Sequence, residues 1–287
     1  MSHILVVADL LDNNPVATLK ASELAQQSKL PVKFVFFCHD NITHLDNDQE
    51  QVKAQIIKRV EQQSQALLTE HVPADVEYSF EVVWEKRIHQ WVNRYVDNND
   101  VSFVVKTGHR TETMMYTSTD WHLLRECNAP IYISSEKQWR RAQHVLASLD
   151  LETKNEEKLA LNSKILEQAK ELASASKSQL HVCYTVPFSR LLHDFGMQFR
   201  DELEIKAEKK LKPVIEALSK EHDIPIERFH IKAGEPEKVI PSTAASVKAA
   251  VVVLGMVGRK GLSGKIIGNT AEKILALLKT DLVAVKP

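Results

Sequence analysis

The 287-residue sequence predicts an α/β fold made of two tandem halves, each with a mostly parallel sheet flanked by helices. Two observations predict it. Short apolar runs alternate with longer amphipathic stretches, the pattern of strands joined by crossover helices. The two halves also resemble each other, since HILVVADL from residue 3 is matched by HVLASLDL from residue 144. An internal repeat of about 140 residues is therefore predicted.

In the first half, five apolar runs are predicted to be strands, and four segments with helical periodicity separate them. The predicted strands are 3–8, 32–38, 76–83, 101–106 and 130–134, and the helices are roughly 14–28, 48–70, 86–97 and 118–127. The first strand, HILVVA, is almost entirely apolar, as expected for a strand that is covered on both faces.

The second half repeats this order. Its predicted strands are 144–149, 179–186, 228–233, 249–255 and 281–286, and its helices are roughly 156–175, 199–222, 236–247 and 269–279. The polar stretch SEKQWRRAQ separates the halves. The predicted domains are therefore residues 1–137 and 143–287.

Composition and charge exclude several classes of protein. The formal net charge of −1 gives no general attraction to nucleic acid or to a membrane surface. The three cysteines form no C-x-x-C pair, and no apolar run is long enough to span a membrane. No H-E-x-x-H or G-x-S-x-G motif is present. We expect a cytoplasmic binding or sensing protein that is not an enzyme, with no metal site, no nucleic-acid partner and no membrane insertion.

Glycines are concentrated near the end of the chain. Five of the eight lie between residues 255 and 268: Gly255, Gly258, Gly261, Gly264 and Gly268. Glycine costs about 0.5–1 kcal/mol in a regular element, so such a cluster indicates sharp bends or a close approach of the backbone. At Gly255 and Gly258 backbone N–H groups can point outward without a Cβ in the way.

The charge of this segment favours an anion. It contains no acid up to Thr270 and carries three basic residues, Arg259, Lys260 and Lys265. A helix beginning near Asn269 would also present free N–H donors, which suit phosphate. The alternative is plain turn chemistry, because Asn269 with Glu272 is a capping-box-like helix start.

The spacing Gly255-x2-Gly258-x9-Gly268 resembles the signature of the universal stress protein family, G-x2-G-x9-G-[ST]. Asn269 stands where Ser or Thr is usual, and Thr270 follows. The resemblance covers the whole chain as a tandem pair of domains. The fragments VVKTGHR, TSTDWHLLRECNAPIYIS and GNTAEKIL are similar to one bacterial subtype of the family.

The resemblance implies a five-stranded flavodoxin-like sheet in each half, with ligand bound at its carboxyl edge. It also implies a stress-associated protein. Some members bind ATP through the glycine segment, with Mg²⁺ possible beside the nucleotide, and others bind none. A homodimer is a further expectation.

Candidate site residues follow from this resemblance and from the charge pattern. The phosphate-binding set is Gly255, Gly258, Arg259, Gly268, Asn269 and Thr270. Asp150 ends the first strand of the second half, where the family has an acid near the ribose or a bound metal. Gly234 ends the third strand and resembles the family's small turn. For Asp150 and Gly234 an ordinary turn role is the alternative.

The first half lacks this set. Thr107 and Arg110 stand where the second half has Gly255 and Gly258, and only Gly108 remains in that loop. Their side chains occupy space that a phosphate would need. The first half is therefore predicted to be a degenerate domain that binds no nucleotide.

An apolar segment, PFSRLLHDFGMQF, raises a second hypothesis about the ligand. Phe188, Leu192 and Phe195 lie at helical spacing, which predicts one apolar helical face. Such a face could cover an amphipathic, lipid-like ligand, dock a partner, or pack on its own domain. A nucleotide-binding regulatory protein is favoured; a nucleotide-independent scaffold or lipid-like carrier and a weak ATPase are the alternatives.

Overall fold

The computed structural model describes residues 2–8, 15–42, 49–108, 118–135, 143–256, 273–274 and 277–287. The chain divides into two compact units, Met1–Glu136 and Lys137–Pro287. In each unit a parallel sheet is flanked by helices, so the predicted fold class is confirmed. No helix among the described residues has the length and apolarity that crossing a membrane requires.

The described residues of the first unit form five strands and four helices. These are β1 (His3–Ala8), α1 (Val16–Ser28), β2 (Val32–Cys38), α2 (Gln49–His71), β3 (Tyr78–Trp84), α3 (Ile88–Asn98), β4 (Val101–Gly108), α4 (Ser118–Glu126) and β5 (Ile131–Ser135). The strand order is β3-β2-β1-β4-β5, and every neighbouring pair is parallel. The central strand β1 is buried from Ile4 to Ala8, because helices cover both faces of the sheet.

The described residues of the second unit repeat this arrangement and include a short helix after their second strand. Its elements are β6 (His144–Ser148), α5 (Glu156–Ala175), β7 (Leu180–Val186), α6 (Arg190–Asp194), α7 (Arg200–His222), a 3-10 turn (Ile226–Arg228), β8 (Phe229–Ala233), α8 (Pro236–Ser246), β9 (Ala249–Gly255) and β10 (Asp281–Val285). The strand order is β8-β7-β6-β9-β10, again parallel throughout. Lys273, Ile274 and Leu277 are also helical.

Helix α5 shows how local sequence sets an element. Asn155 precedes it, and its side-chain oxygen accepts a hydrogen bond from the Lys158 backbone N–H at 3.1 Å. Glu156 and Glu157 place negative charge in the first turn, which the helix dipole favours. Buried residues recur along one face of the helix: Leu161, Ile165, Leu166, Ala169, Leu172 and Ala173. This stripe packs α5 against β6 and β9.

The prediction that residues 188–199 form one continuous apolar helical face is wrong. Helix α6 spans only Arg190–Asp194, and Gly196 follows in a left-handed turn with φ of +66°. Phe199 then precedes the start of α7 in an extended conformation. The turn breaks the helical periodicity, because glycine adopts this backbone conformation without the steric cost that a side chain brings. Phe188 and Phe199 therefore lie outside the short helix that carries Leu192.

Candidate functional site

A cleft of about 500 Å³ opens at the carboxyl ends of β6, β7 and β9 in the second unit. Strand β6 lies between β7 and β9, so the strand order reverses at this point of the sheet. Open α/β sheets bind their ligands outside such a switch point. The cleft therefore lies where this architecture places ligands.

Polar and apolar side chains both line the cleft. The polar ones are Ser148, Asp150, Lys158, Asn162, Tyr184 and Thr185. The apolar wall consists of Leu149, Leu161, Ile165, Pro187, Pro236, Ile240, Leu254 and Ile274, and Gly255 completes the lining. A mainly apolar wall with a few convergent polar groups is typical of small-molecule sites.

Asp150 is held by two residues of helix α5. Its backbone N–H donates to the Asn162 Oδ1 at 3.1 Å, and the Asn162 Nδ2 donates back to the Asp150 carbonyl at 2.9 Å. The Lys158 Nζ lies 3.0 Å from one oxygen of the Asp150 carboxylate, whose side chain remains 42% exposed. The backbone is thus clamped, while the carboxylate stays available to a ligand or a cation.

Sequence reasoning missed Lys158 and Asn162. Both lie one or two turns before Leu166 on the helix stripe that packs against the sheet. A polar residue at the start of an apolar stripe is the signal that could have identified them. Which residue they contact depends on the position of α5 over β6, and that follows only from the fold.

Tyr184 adds a proton donor to the cleft wall. Burial, together with the negative charges of Glu152 and Asp150, raises the pKa of its phenol to about 12. The hydroxyl group therefore stays protonated throughout the neutral range and can donate a hydrogen bond to a bound anion.

The structure explains the glycine at position 255 by packing inside its own unit, a reason that the sequence did not predict. A Cβ built at this position would lie 2.6 Å from the Leu161 Cδ2 and 3.0 Å from the Ile165 Cδ1. The close approach at Gly255 is thus to helix α5 of the same unit. The prediction that it presents an open N–H to an anion is not needed to explain the glycine, although Gly255 does line the cleft.

Gly234 is buried at the end of β8 and has a φ of +157°. A Cβ there would lie 2.8 Å from the Val239 Cγ2, so the turn into α8 needs a residue without a side chain. Pro236, two residues further on, lines the cleft, whereas Gly234 supports the turn behind it.

The remaining predicted phosphate ligands, Gly258, Arg259, Gly268, Asn269 and Thr270, lie outside the described residues. The structure therefore places Asp150 and Gly255 at one cleft and leaves the other five candidates untested.

Acidic residues pair with the basic ones near Pro236. The Lys273 Nζ lies 3.1 Å from a Glu237 oxygen, and the Arg190 Nε lies 3.7 Å from Glu235. Lys238 also binds Glu235, and this hydrogen bond lowers the pKa of the Glu235 carboxyl. These three cations and two carboxylates leave a net charge of +1 at this side of the cleft, so most of the positive charge is already paired.

At the equivalent edge of the first unit, the described end of β4 is buried. Strand register makes Thr107 the counterpart of Gly255, because Val105 pairs with β1 as Val253 pairs with β6. The Thr107 side chain is 1% exposed, and its Oγ1 accepts a hydrogen bond from the Ala17 backbone N–H at 3.2 Å. A helix-terminal N–H that could contact an anion is thus satisfied internally.

A buried ion pair lies beside Thr107. The Lys106 Nζ is 3.0 Å from an Asp120 oxygen, and both side chains are at most 5% exposed. Lys106 also donates to the Thr107 carbonyl at 2.8 Å. Asp9 and Arg110, the other counterparts of the second-unit candidates, lie outside the described residues.

The apolar candidates Phe188, Leu192 and Phe195 do not line the cleft. Phe195 is 71% exposed and Leu192 is 39% exposed. Phe188 is half-buried, and the Arg200 guanidinium lies 4.8 Å from the centre of its ring. These residues form an exposed apolar surface after β7 with a cation at its edge.

Comparison with known proteins is consistent with this architecture. The profile of the universal stress protein family matches residues 1–134 and 160–286. Universal stress protein E of Escherichia coli K12 is 29% identical over 99% of this chain and 94% of its own length. This similarity agrees with the subtype that the sequence fragments indicate.

Solved structures share the fold. A protein of unknown function from Pseudomonas aeruginosa PAO1 is 24% identical, with a TM-score of 0.73 over 100% of this chain and 93% of its own. A universal stress protein in complex with cAMP is similar over 50% of this chain, with 19% identity and a TM-score of 0.30. That second likeness is too low to indicate a ligand for this chain.

Proposed function

This chain belongs to the universal stress protein family, and from that premise we propose that it is a non-enzymatic stress-response protein whose second half binds a phosphate-bearing ligand, ATP or a related nucleotide. The observation that carries the proposal is the cleft at the strand-order switch of β6, with Asp150 and Gly255 in its wall. The glycine-rich segment begins at Gly255, a residue of this wall.

The described residues support separate roles for the two ends of a nucleotide. The apolar wall formed by Leu161, Ile165 and Ile240 suits a base, and the Asp150 carboxylate suits a ribose hydroxyl. Phosphates would lie toward Gly258, Arg259, Gly268, Asn269 and Thr270. Lys158 balances the charge of Asp150, so the carboxylate does not repel the ligand.

Mg²⁺ can accompany the nucleotide. The ion prefers oxygen ligands, keeps several waters, and is usually held by one or two carboxylates plus phosphates. Asp150 is a partly exposed carboxylate in the cleft and meets that requirement once Lys158 turns away.

Calorimetric titration of ATP into the full chain tests the proposal. Wild type should bind one ATP, and Gly258→Asp and Gly268→Asp should each weaken binding at least about tenfold, because a carboxylate would stand at the phosphates. Gly196→Asp is the control for a carboxylate placed away from the cleft lining; because Gly196 has a φ of +66°, circular dichroism must show that this variant folds. Equal affinity in all four proteins would contradict the proposed site.

The proposal of a binding protein also predicts no turnover. Among the described cleft residues, no serine or cysteine pairs with a histidine as an activated nucleophile would. Phosphate release from ATP should stay at the level of a heat-inactivated control. Steady release that disappears in Asp150→Asn would instead establish the weak ATPase.

An amphipathic ligand on the 187–199 segment is a second candidate function. Leu191, Phe195 and Met197 are 66%, 71% and 74% exposed, and Arg200 lies beside Phe188. An acyl chain with an anionic head would match this pairing of apolar surface and cation. Native mass spectrometry before and after delipidation should show an acyl species that Phe195→Ser loses; a protein that never carries one would eliminate this candidate.

A further inference from the structure

Helices α3 and α4 of the first unit bring together three potential metal ligands. His89 comes from α3, and His122 and Glu126 come from α4. One donor atom from each side chain lies within 4.8 Å of the other two. We propose that this cluster binds a divalent transition-metal ion, with Zn²⁺ as the probe.

The donor set suits such an ion. Imidazole nitrogen and carboxylate oxygen are both common Zn²⁺ ligands, and a His, His, Glu set leaves the fourth tetrahedral position for water or another ligand. Magnesium and calcium prefer oxygen donors alone. All three side chains are half-buried, so an ion can reach them while part of its surroundings is protein.

The carboxylate is already oriented toward the imidazoles. His122 and Glu126 are one helical turn apart, and the His122 Nδ1 lies 3.1 Å from the Glu126 Oε1. The Asn93 Nδ2 donates to the other Glu126 oxygen at 3.4 Å, and Asn93 is one turn along α3 from His89. A partner that holds a ligating carboxylate is a regular feature of metal sites.

Metal binding must change the ring packing. The His89 and His122 rings stack with centroids 4.1 Å apart and an angle of 12° between their planes. Zn–N bonds of about 2.1 Å in a tetrahedron place donors about 3.4 Å apart, with both nitrogens aimed at one ion. Parallel rings cannot satisfy this, so at least one imidazole must turn out of the stack. Rotation of these partly exposed side chains needs no change in the helix backbones.

The site is separate from the cleft of the proposed function, which lies in the second unit. The prediction of no metal site came from ligand spacing along the chain. His89 lies on a helix separate from the other two ligands, so no motif brings the three together in the sequence.

The full chain, stripped of metal with a chelator, should be titrated with Zn²⁺ by calorimetry and with Co²⁺ by absorption spectroscopy. Wild type should bind one Zn²⁺ at this cluster, and its Co²⁺ form should show the visible bands of a four-coordinate ion. His89→Gln should lose at least about 10–100-fold in affinity, the loss that even an outer hydrogen-bond partner causes. The visible Co²⁺ bands should disappear in His89→Gln.

His71→Gln is the matched control, because His71 is a partly exposed helix histidine outside the cluster. It should bind Zn²⁺ like wild type, and circular dichroism should show that both variants fold. Asn93→Leu should weaken binding less than His89→Gln. Retained affinity in His89→Gln, loss of affinity in His71→Gln, or no saturable Zn²⁺ binding by wild type would each overturn the proposal.

Discussion

The two halves carry different residues at the same positions of the same strand order. In the first, Lys106 and Thr107 precede the last residue of β4 and are buried with polar partners. In the second, Leu254 and Gly255 end β9, and a cleft lies beside them. The same strand order thus carries buried polar side chains at one strand end and a glycine beside a cleft at the other.

The halves also differ in the side chains on one face of their sheets. Register places Lys33 and Glu81 of the first half where the second has His181 and His230. Lys33 and Glu81 form an ion pair at 3.3 Å. The His181 Nδ1 instead lies 2.9 Å from the His230 Nε2, with His144 beside them. The second half thus has a row of histidines where the first has opposite charges.

The largest effect is expected from breaking the buried ion pair of the first half. Lys106→Met should cost about 3–5 kcal/mol in the free energy of unfolding, because the buried Asp120 carboxylate would lose its ammonium partner. Urea unfolding measures this change. Lys106→Leu combined with Asp120→Ala copies the second half, which has Leu254 and Ala271, and should recover most of the loss. A single variant as stable as wild type would show that this pair does not distinguish the halves.

Replacing Gly255, at the end of β9, by the threonine of the first half should lower the free energy of unfolding by a smaller amount. Gly255→Thr should cost about 1–3 kcal/mol, because its Cβ would lie 2.6 Å from the Leu161 Cδ2. Under the proposed function it should also weaken ATP binding. Adding Leu161→Ala should restore part of the stability if the clash is the cause.

The reciprocal change, Thr107→Gly, removes the acceptor of the Ala17 N–H and should cost about 1–2 kcal/mol. Thr107→Ser keeps the acceptor and is its control. The same urea unfolding measurement applies to both. A glycine variant no less stable than the serine variant would show that the hydroxyl does not fill this edge.

An effect of similar size concerns the stability of the second half in acid. Burial lowers the pKa of His181 to about 4, and the positive charges of His230, His144 and Arg228 contribute. In the unfolded chain His181 has a pKa of 6.5, so below that pH the unfolded chain binds a proton that the folded chain does not bind. The free energy of unfolding therefore has its full value above pH 6.5 and falls as the pH drops to about 4. The loss should be about 1–2 kcal/mol, well below the full conversion of the shift, because the ring is partly solvated.

Unfolding at pH 7 and pH 4.5 measures this dependence, and His181→Gln should flatten it. Carboxylates titrate in the same window, so the difference between variant and wild type is the informative quantity. Lys33→Gln, at the matching position of the first half, should leave the slope unchanged. An equal slope in wild type and His181→Gln would show that the histidine row does not make the second half acid-sensitive.

The strands and helices could be predicted from the sequence, because the spacing of apolar residues that marks them involves only neighbours along the chain. Apolar runs such as AAVVVLG form buried strands, and the predicted boundaries of all described strands lie within two residues of those found. The 188–199 segment failed for a local reason, since Gly196 reverses the chain inside an otherwise helical spacing. The apolar residues of this segment recur at the helical period, but the turn at Gly196 interrupts the helix.

The sequence alone determined the α/β class, the repeat and the family resemblance, and the phosphate-binding residues remain its prediction. Three contacts could not be read from the sequence: Asn162 holds the Asp150 backbone, Thr107 accepts the Ala17 N–H, and His89 stacks on His122. Period and composition are properties of a few consecutive residues. Contacts between elements depend on strand order, register and helix placement, which the whole core sets together.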